Sequence, residues 1–222
     1  MGSVKIRDSL RRNGFKYSLH TSKKKGFFMK IIGITGSSGS GKSTITQILG
    51  KEIKAKTIYA DKVVKKLQQK GNEYLSEIIK LFGKDYLTKE GELNREKLAK
   101  TIFEDAKKRE SLNELTKKYV AEEIKNQIKE ADFEYVIIDA PLLIETELHN
   151  CCDTIIAVVS NKEEQIKRIC MRDNVSKEKA MERINAQPSN EFYKKYANYI
   201  VENNGGNYNE LVGRIRELLQ KL

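Results

Sequence analysis

The sequence predicts an α/β fold in which a parallel five-stranded sheet is covered by helices. Short apolar runs of strand length recur along the 222 residues, and longer segments with helical periodicity separate most of them. Continuous apolar runs such as Thr154–Val159 suit parallel strands that are buried on both faces. Strands that alternate with helices form a parallel sheet with helices on its faces. A chain of this length suits one such domain with a small insertion.

A glycine-rich loop follows the first predicted strand, residues 31–34, and precedes a helical segment at 44–53. Its sequence, residues 36–43, fits G-x-x-x-x-G-K-[ST] at every fixed position. The strand–loop–helix order is the context that this pattern requires for a nucleotide phosphate site in a P-loop NTPase fold. Glycines let the backbone approach a phosphate closely, and the amides at a helix N-terminus attract anions. The residues predicted to bind the nucleotide here are Gly36, Gly39, Ser40, Gly41, Lys42, Ser43 and Thr44.

Two side chains of this loop carry specific phosphate chemistry. Lys42 supplies a positive charge for the β- and γ-phosphates, and the hydroxyl of Ser43 is of the kind that ligates Mg²⁺. The alternative is a glycine-serine loop that binds no ligand. The flanking strand and helix favour the phosphate site.

Four further strands and a final helix are predicted along the chain. A long charged region with helical periodicity, at about 62–131, follows the second strand and is interpreted as a helical insertion. Ligands of such sheets bind beyond the carboxyl ends of the strands, so residues at those ends are expected to converge on one crevice. The later strands and the last helix are predicted at 57–60, 135–138, 154–159, 199–201 and 210–222, and the strand-end residues are Gly36, Asp61, Asp139 and Ser160.

Two aspartates at predicted strand ends are candidates for the chemistry. Asp61 can accept a proton from an acceptor hydroxyl during phosphoryl transfer, or it can be the N-cap of the helix that follows. Asp139 stands where P-loop proteins place a carboxylate near Mg²⁺, or it is an ordinary aspartate at the end of a strand. Position alone leaves both pairs of readings open.

Two arginines lie four residues apart in a segment at about 162–196, which is interpreted as a helical lid. Arg168 and Arg172 share one helix face and can reach the same pocket, where guanidinium groups stabilise a transferring phosphoryl. The alternative is a pair of solvated surface charges. Ser160 and Glu163 have the spacing of a capping box that starts this helix.

The charge distribution bears on partners. Residues 1–28 hold +7 of the formal net charge of +11. The remaining charge is modest for a protein that binds nucleotides, so no nucleic-acid partner is expected. We interpret this basic leader as a disordered arm or a non-native extension. These two interpretations are favoured over a transit-like peptide or a nucleic-acid tail. The P-loop domain is therefore predicted to span 29–222.

Membrane and disulfide features are weak in this sequence. No apolar run approaches the roughly 18 residues that a membrane span needs, so no membrane partner is expected. Three cysteines, Cys151, Cys152 and Cys170, form no C-x-x-C pair. This favours reduced thiols in a cytoplasmic protein.

From about Lys30 to its C-terminus the chain resembles the dephospho-coenzyme A kinase family. Residues 33–44 are similar to the family's nucleotide loop, and residues 139–145 resemble its distinctive D-x-P-L-L-x-E element. The other matching segments follow in the family's order: 58–61 for D-A-D, 91–95 and 102–103 for G-x-L-x-R and h-F, 165–168, Arg172, Gln187, 197–198 and 203–205.

The resemblance implies Mg²⁺-dependent transfer of the ATP γ-phosphate to the 3′-hydroxyl of dephospho-coenzyme A, the last step of coenzyme A synthesis, by a monomer or weak oligomer. The residues that it assigns to catalysis are Asp61 as base, Lys42 and Arg168. Those that it adds to the ATP site are Arg168, Arg172, Asn203 and Gly205. Those on the substrate side are Asp61, Arg95 and Leu142, and those near the metal are Ser43 and Asp139.

Three departures from the family pattern stand out. Tyr59 replaces the first acid of the D-A-D element, Lys117-Lys118 replaces a His-Pro pair, and Asn198 replaces an aspartate. The second departure bears on substrate binding, and the third matters little if that aspartate only stabilises the start of a strand. Other hypotheses are a P-loop kinase for a nucleoside or small alcohol, and a non-catalytic RNA-binding protein that uses the basic leader.

Overall fold

The computed structural model describes residues 28–222 and the backbone of residues 4–6. Its strands form one six-stranded sheet in the order β1-β6-β5-β2-β4-β3. The strands are β1 (Val4–Ile6), β2 (Lys30–Thr35), β3 (Lys56–Tyr59), β4 (Tyr135–Asp139), β5 (Thr154–Val159) and β6 (Tyr199–Glu202). The predicted parallel five-stranded sheet with flanking helices is confirmed.

Pairing in the centre of the sheet fixes which strand ends are neighbours. β2 pairs in parallel with β4 on one side and with β5 on the other, and β5 pairs in parallel with β6. Ile34 is in register with both Asp139 of β4 and Ile156 of β5. The carboxyl ends of β2, β4 and β5 therefore lie at the same edge of the sheet.

The chain divides into two compact units. The first, the sheet unit, comprises the described residues up to Thr57 together with Ala131–Leu222, and the second, the helical unit, is Ile58–Glu130. Helices of the sheet unit are α1 (Lys42–Glu52), α6 (Lys162–Asp173), α7 (Lys177–Asn185), α8 (Asn190–Tyr196) and α9 (Tyr208–Leu219). Those of the helical unit are α2 (Ala60–Leu67), α3 (Glu73–Phe82), α4 (Arg95–Glu104) and α5 (Ala106–Glu130).

The core of the sheet unit lies between the central strands and two helices. Every residue of β5 is buried, which explains why its sequence is a continuous apolar run. Buried side chains of β2, β4, β5 and β6 pack with those of α1 and α9: Ile32, Ile34, Ile137, Ile156, Val158, Val201, Ile45, Ile48, Leu49, Leu211, Ile215 and Leu218. The N-terminus of α1 is thereby anchored beside the carboxyl end of β2.

The structure corrects two local predictions. The capping box of Ser160 and Glu163 is wrong, because Ser160 is buried at the end of β5 and its hydroxyl donates to the carbonyl of Asn203. The cap falls one residue later, at Asn161, whose side chain accepts from the amide of Glu164. The strand β1, which pairs antiparallel with β6, was not anticipated in the basic leader. The rest of that leader, up to residue 27, lies outside the described residues.

The predicted insertion is formed by the helices α2 to α5 and the segments that connect them, and the segment between α3 and α4 contains a 3-10 turn at Lys84–Tyr86 and one bridge between Leu87 and Leu93. It begins at Ala60, directly after β3. Across the residues that the structure describes, none of the helices has the length and apolar character that crossing a membrane requires.

Candidate nucleotide site

The glycine-rich loop joins β2 to α1 and depends on close backbone approach. Gly36 has φ +146°, and a Cβ atom there would lie 2.2 Å from the carbonyl oxygen of Val158 in β5. Gly41 has φ +88°, and a Cβ atom there would lie 2.1 Å from Nδ2 of Asn203. Both positions therefore require glycine for conformation and for space.

The N-terminus of α1 is open to an anion. Gly41 is its N-cap residue, in the left-handed conformation, and no side chain of the described residues caps the first amides. The first turn carries no acidic residue. Unpaired amides and the positive end of the helix dipole are the features that bind phosphate at helix N-termini. The exposed side chains of Ser43 and Thr44 lie in this first turn.

Lys42 and Asp139 form an ion pair at the carboxyl ends of the strands. Lys42 Nζ contacts Asp139 Oδ1, and the two side chains are 12% and 4% exposed. The structure thus brings together the predicted phosphate-binding lysine and one of the two predicted metal-side residues. The exposed Ser43, the other, follows Lys42 directly in α1.

The guanidinium of Arg168 holds the backbone of the loop. Its NH1 group donates to the carbonyls of Gly39 and Ser40 at 3.1 and 3.2 Å, and its NH2 group donates to the carbonyl of Asn203 at 3.0 Å. Glu164, one turn earlier on α6, lies 3.4 Å from the same guanidinium. Arg168 therefore fixes the orientation of the peptide groups that follow Gly39 and Ser40.

Arg172, one turn further along α6, makes a weaker contact with the loop. Its NH2 group lies 3.4 Å from the hydroxyl of Ser38, while its guanidinium pairs with Asp173 at 2.7 and 2.9 Å. The hydrogen bond from Arg172 lowers the pKa of the Asp173 carboxyl. Both predicted arginines of α6 therefore reach the glycine-rich loop.

Asn203, just after β6, belongs to the same assembly. Its Nδ2 group donates to the carbonyl of Ser40 at 2.9 Å. Ser40 itself is fully buried, and its hydroxyl has no partner among the described atoms, so its loop contacts are made by the backbone. Gly205 has φ +91°, and a Cβ atom there would lie 3.7 Å from the carboxyl carbon of Glu164. Asn203 is thus packed against the loop, and Gly205 lies beside α6.

Asp61 is the first acidic residue of the helical unit. It lies in the first turn of α2, whose N-cap residue is the extended Tyr59. The N-cap reading of Asp61 is therefore wrong, because the helix begins one residue before the aspartate. Its side chain is exposed, and Lys62 Nζ sits 4.7 Å from the ring centroid of Tyr59. Asp61 is not needed as a cap, which leaves it available for chemistry.

The two remaining substrate-side residues are both exposed. Arg95 is the first residue of α4 in the helical unit. Leu142, in the turn after β4 in the sheet unit, is 56% exposed. An apolar side chain at that exposure adds little to the core.

A buried carboxyl lies three residues beyond Leu142. Neither oxygen of Glu145 has a hydrogen-bond partner among the described residues, and burial raises the pKa of this carboxyl. Burial first, and the charge of Glu145 second, raise the pKa of Tyr193 on α8 to about 12. Glu145 is the last residue of the D-x-P-L-L-x-E element, and no role was predicted for it. The sequence carries no periodic signal that marks its carboxyl as buried.

Two glutamines that the sequence left without a role also contact the loop. Gln165 Nε2 donates to the hydroxyl of Ser37 and to the carbonyl of Ser160, both at 3.0 Å. Gln187 Oε1 accepts from the amide of Ser38 at 2.7 Å. Gln187 follows α7 in a connecting segment, where helical periodicity gives no signal of a contact.

Asn198, a departure from the family pattern, stabilises the start of a strand. Its side-chain Oδ1 accepts from the backbone amide of Ile155 at 2.8 Å, and its backbone amide donates to the carbonyl of Ile155. An aspartate offers the same acceptor oxygen. The replacement therefore preserves the contact.

Comparisons with known proteins agree on one family. The family model described as dephospho-CoA kinase matches residues 30–209. A dephospho-CoA kinase of Listeria innocua is 39% identical over 178 residues, which are 79% of this chain and 88% of that protein. The solved dephospho-CoA kinase of Campylobacter jejuni has a TM-score of 0.63 at 26% identity, covering 86% of this chain and 96% of that chain. A solved protein of Thermus thermophilus, TT1252, has a TM-score of 0.75 at 25% identity, covering 87% of this chain and 98% of that chain.

Proposed function

Because this chain belongs to the dephospho-CoA kinase family, we propose that it transfers the γ-phosphate of ATP to the 3′-hydroxyl of dephospho-CoA. Members of this family carry out the final step of coenzyme A biosynthesis with ATP. The observation that carries the proposal is that the family match contains an intact phosphate loop. In that loop Lys42 is held beside the carboxylate at the end of β4.

The phosphate loop binds the triphosphate of ATP. Its backbone amides and the open N-terminus of α1 hold the β- and γ-phosphates, and Lys42 neutralises their charge. Arg168 and Asn203 keep the carbonyls of Gly39 and Ser40 turned away from the anion. Arg172 and Gly205 complete the nucleotide side of the site. The protein thereby binds ATP in one orientation, with the γ-phosphate facing the acceptor.

Asp61 acts as the general base. Its carboxylate takes the proton of the 3′-hydroxyl as the bond from that oxygen to the γ-phosphorus forms. The bond from the γ-phosphorus to the bridging oxygen breaks at the same time, and ADP leaves. Arg95 and Leu142 contact the acceptor. Arg168 acts on the transferring group through the loop, because its guanidinium holds the carbonyls of Gly39 and Ser40 and so fixes the path of the backbone that binds the phosphates.

Mg²⁺ suits the donor set of this site. The hydroxyl of Ser43 and the carboxylate of Asp139 are hard oxygen donors of the kind that Mg²⁺ prefers. In the described part of the chain no group of three or more His, Cys, Asp and Glu side chains could hold a metal. When bound, the ion neutralises charge on the β- and γ-phosphates.

The same hypothesis predicts the location, the partners and the oligomeric state of the enzyme. It acts in the cytoplasm on a small molecule, as a monomer or weak oligomer, and needs neither a nucleic acid nor a membrane. Gel filtration at several protein concentrations measures the oligomeric state.

An acceptor panel tests the reaction. Purified protein is incubated with ATP and Mg²⁺ and with dephospho-CoA, uridine, a small alcohol or no acceptor, and ADP release is recorded. Dephospho-CoA is expected to stimulate ADP release far above the other acceptors. If it stimulates no better than uridine does, the proposed acceptor is wrong. Lys42→Ala protein is the control for a contaminating kinase.

A further inference from the structure

A side chain of the segment between α7 and α8 forms a hydrogen bond with the phosphate loop. Gln187 Oε1 accepts the amide hydrogen of Ser38 at an N–O distance of 2.7 Å, across 149 residues of sequence. Ser38 is the third residue of the loop. We propose that Gln187 is a positioning residue for ATP, acting through the peptide group that joins Ser37 to Ser38.

This contact fixes the orientation of one peptide plane. In a trans peptide the N–H of Ser38 and the C=O of Ser37 point in opposite directions. With the N–H directed at Gln187, the carbonyl of Ser37 is directed into the loop, where it accepts the amide of Ser40 at 3.2 Å. Two hydrogen bonds therefore stabilise the turn of residues 37–40. One runs from the Ser38 amide to Gln187, and the other runs from the Ser40 amide to the Ser37 carbonyl.

Without an acceptor at this point, only the hydrogen bond from the Ser40 amide holds the peptide group, which then rotates more easily. Rotation removes the carbonyl of Ser37 from the amide of Ser40 and changes the path of the chain just before Gly39 and Gly41. The amides that follow are those that hold the phosphates. A side chain outside the anion site thus controls how well that site is preorganised.

Neighbouring contacts do not replace this one. Gln165 holds the side chain of Ser37 rather than its peptide group, and Arg172 lies 3.4 Å from the hydroxyl of Ser38. Arg168 donates to the carbonyls of Gly39 and Ser40, on the far side of the turn. Among the described contacts, Gln187 alone accepts from the Ser38 amide. The contact also ties the α7–α8 segment of the predicted lid to the loop that grips ATP.

The inference rests on the proposed ATP site and is independent of the acceptor. Two ligands separate positioning from general damage: ATP carries the β- and γ-phosphates, and AMP does not. Gln187→Met keeps the length of the side chain and removes the acceptor, while Gln187→Glu keeps an acceptor oxygen. Gln220→Met repeats the first change at an exposed residue after α9. Gln187→Ala is a second removal variant if the methionine variant does not fold.

Calorimetric titration with ATP and with AMP gives the first measurement. Gln187→Met is expected to raise the Kd for ATP about 5- to 10-fold, the value of one hydrogen bond, with the Kd for AMP within about twofold of wild type. Gln187→Glu recovers part of the ATP affinity, and Gln220→Met changes neither Kd. Equal loss for ATP and AMP, or an unchanged Kd for ATP, overturns the inference.

Hydrogen exchange at the Ser38 amide, followed by NMR, gives the second measurement. The exchange rate is expected to rise at least about 10-fold in Gln187→Met and to stay near wild type in Gln187→Glu. An unchanged rate in Gln187→Met overturns the inference, since the amide then has another partner. Failure of the wild-type protein to bind ATP overturns both this inference and the proposed function. Binding of ATP without phosphorylation of dephospho-CoA overturns only the proposed acceptor.

Discussion

Lys42 of α1 and Asp139 of β4 are ion-paired, and both side chains are largely withdrawn from solvent. One residue is assigned to phosphate and the other to the metal side of the site. Each side chain neutralises the charge of the other, and water screens these two charges only weakly because both side chains are buried. Removing either partner therefore affects folding as well as chemistry, and the two effects can be separated.

Lys42→Ala is expected to abolish phosphoryl transfer, because the charge that stabilises the β- and γ-phosphates is lost. It also leaves Asp139 buried and unpaired, at a cost of about 3–5 kcal/mol in the free energy of unfolding. Denaturant titration measures the second effect and ADP release the first. The double variant Lys42→Ala/Asp139→Asn should regain stability without regaining activity. Turnover in the single variant removes the phosphate role of Lys42.

Asp61→Asn is expected to lower kcat roughly 100-fold or more, because the amide cannot accept the proton of the acceptor hydroxyl. The affinity for ATP should be largely retained. Steady-state kinetics with dephospho-CoA and calorimetry with ATP measure the two quantities. Asp85→Asn, at an exposed residue of the same unit, is the matched control. A kcat near that of wild type would remove Asp61 as the base.

Arg168→Ala is expected to cost about 2–4 kcal/mol of transition-state stabilisation, measured as a fall in kcat/KM. The carbonyls of Gly39, Ser40 and Asn203 lose their shared donor at the same time. Arg168→Lys should recover little, since an ammonium cannot reproduce the planar fork. Lys167→Ala, exposed on the same helix, should leave kcat/KM unchanged. Full activity in Arg168→Ala would make this arginine dispensable.

Glu145→Gln is expected to stabilise the protein in a pH-dependent way. Burial raises the pKa of the Glu145 carboxyl in the folded state, so the folded state holds its proton more tightly than the unfolded state does. The destabilisation is absent below the unfolded pKa, grows as the pH rises from the unfolded pKa to the folded pKa, and is constant above the folded pKa. At neutral pH the variant should therefore have a higher free energy of unfolding than wild type, and well below the ordinary pKa of a glutamate the gain should vanish.

Exposed Glu147, two residues further on, provides the control variant Glu147→Gln. Its free energy of unfolding should follow that of wild type at both pH values. A gain in Glu145→Gln that is equal at low and neutral pH would show that the ionisation of Glu145 is not its cause.

The sequence predicted the elements of the sheet because burial on both faces demands unbroken apolar runs. Thr154–Val159 appears in the structure with those bounds. The loop that follows β2 was predicted equally well from its glycine pattern. Gly36 and Gly41 must be glycine because their conformation and their close contacts permit no other residue. These signals are local in sequence.

Features that depend on distant contacts escaped prediction. The hydroxyl of Ser160 is engaged by the carbonyl of Asn203, 43 residues away, so the cap of α6 moved to Asn161. The contacts of Gln187 and the burial of Glu145 arise in the same way, from segments that meet only in three dimensions. The start of α2 was predicted two residues too late, because its N-cap is Tyr59 and not Asp61, and this error lies within the usual uncertainty of a helix boundary.

Transfer of the γ-phosphate to the 3′-hydroxyl is tested most directly by locating the phosphate in the product that the wild-type protein makes from ATP and dephospho-CoA. Phosphorus–proton correlation NMR on the purified product identifies the ribose proton that couples to the new phosphomonoester. We predict coupling to the proton on C3′ and a stoichiometric yield of ADP. Coupling to the proton on C2′, or release of inorganic phosphate with dephospho-CoA unchanged, would contradict it.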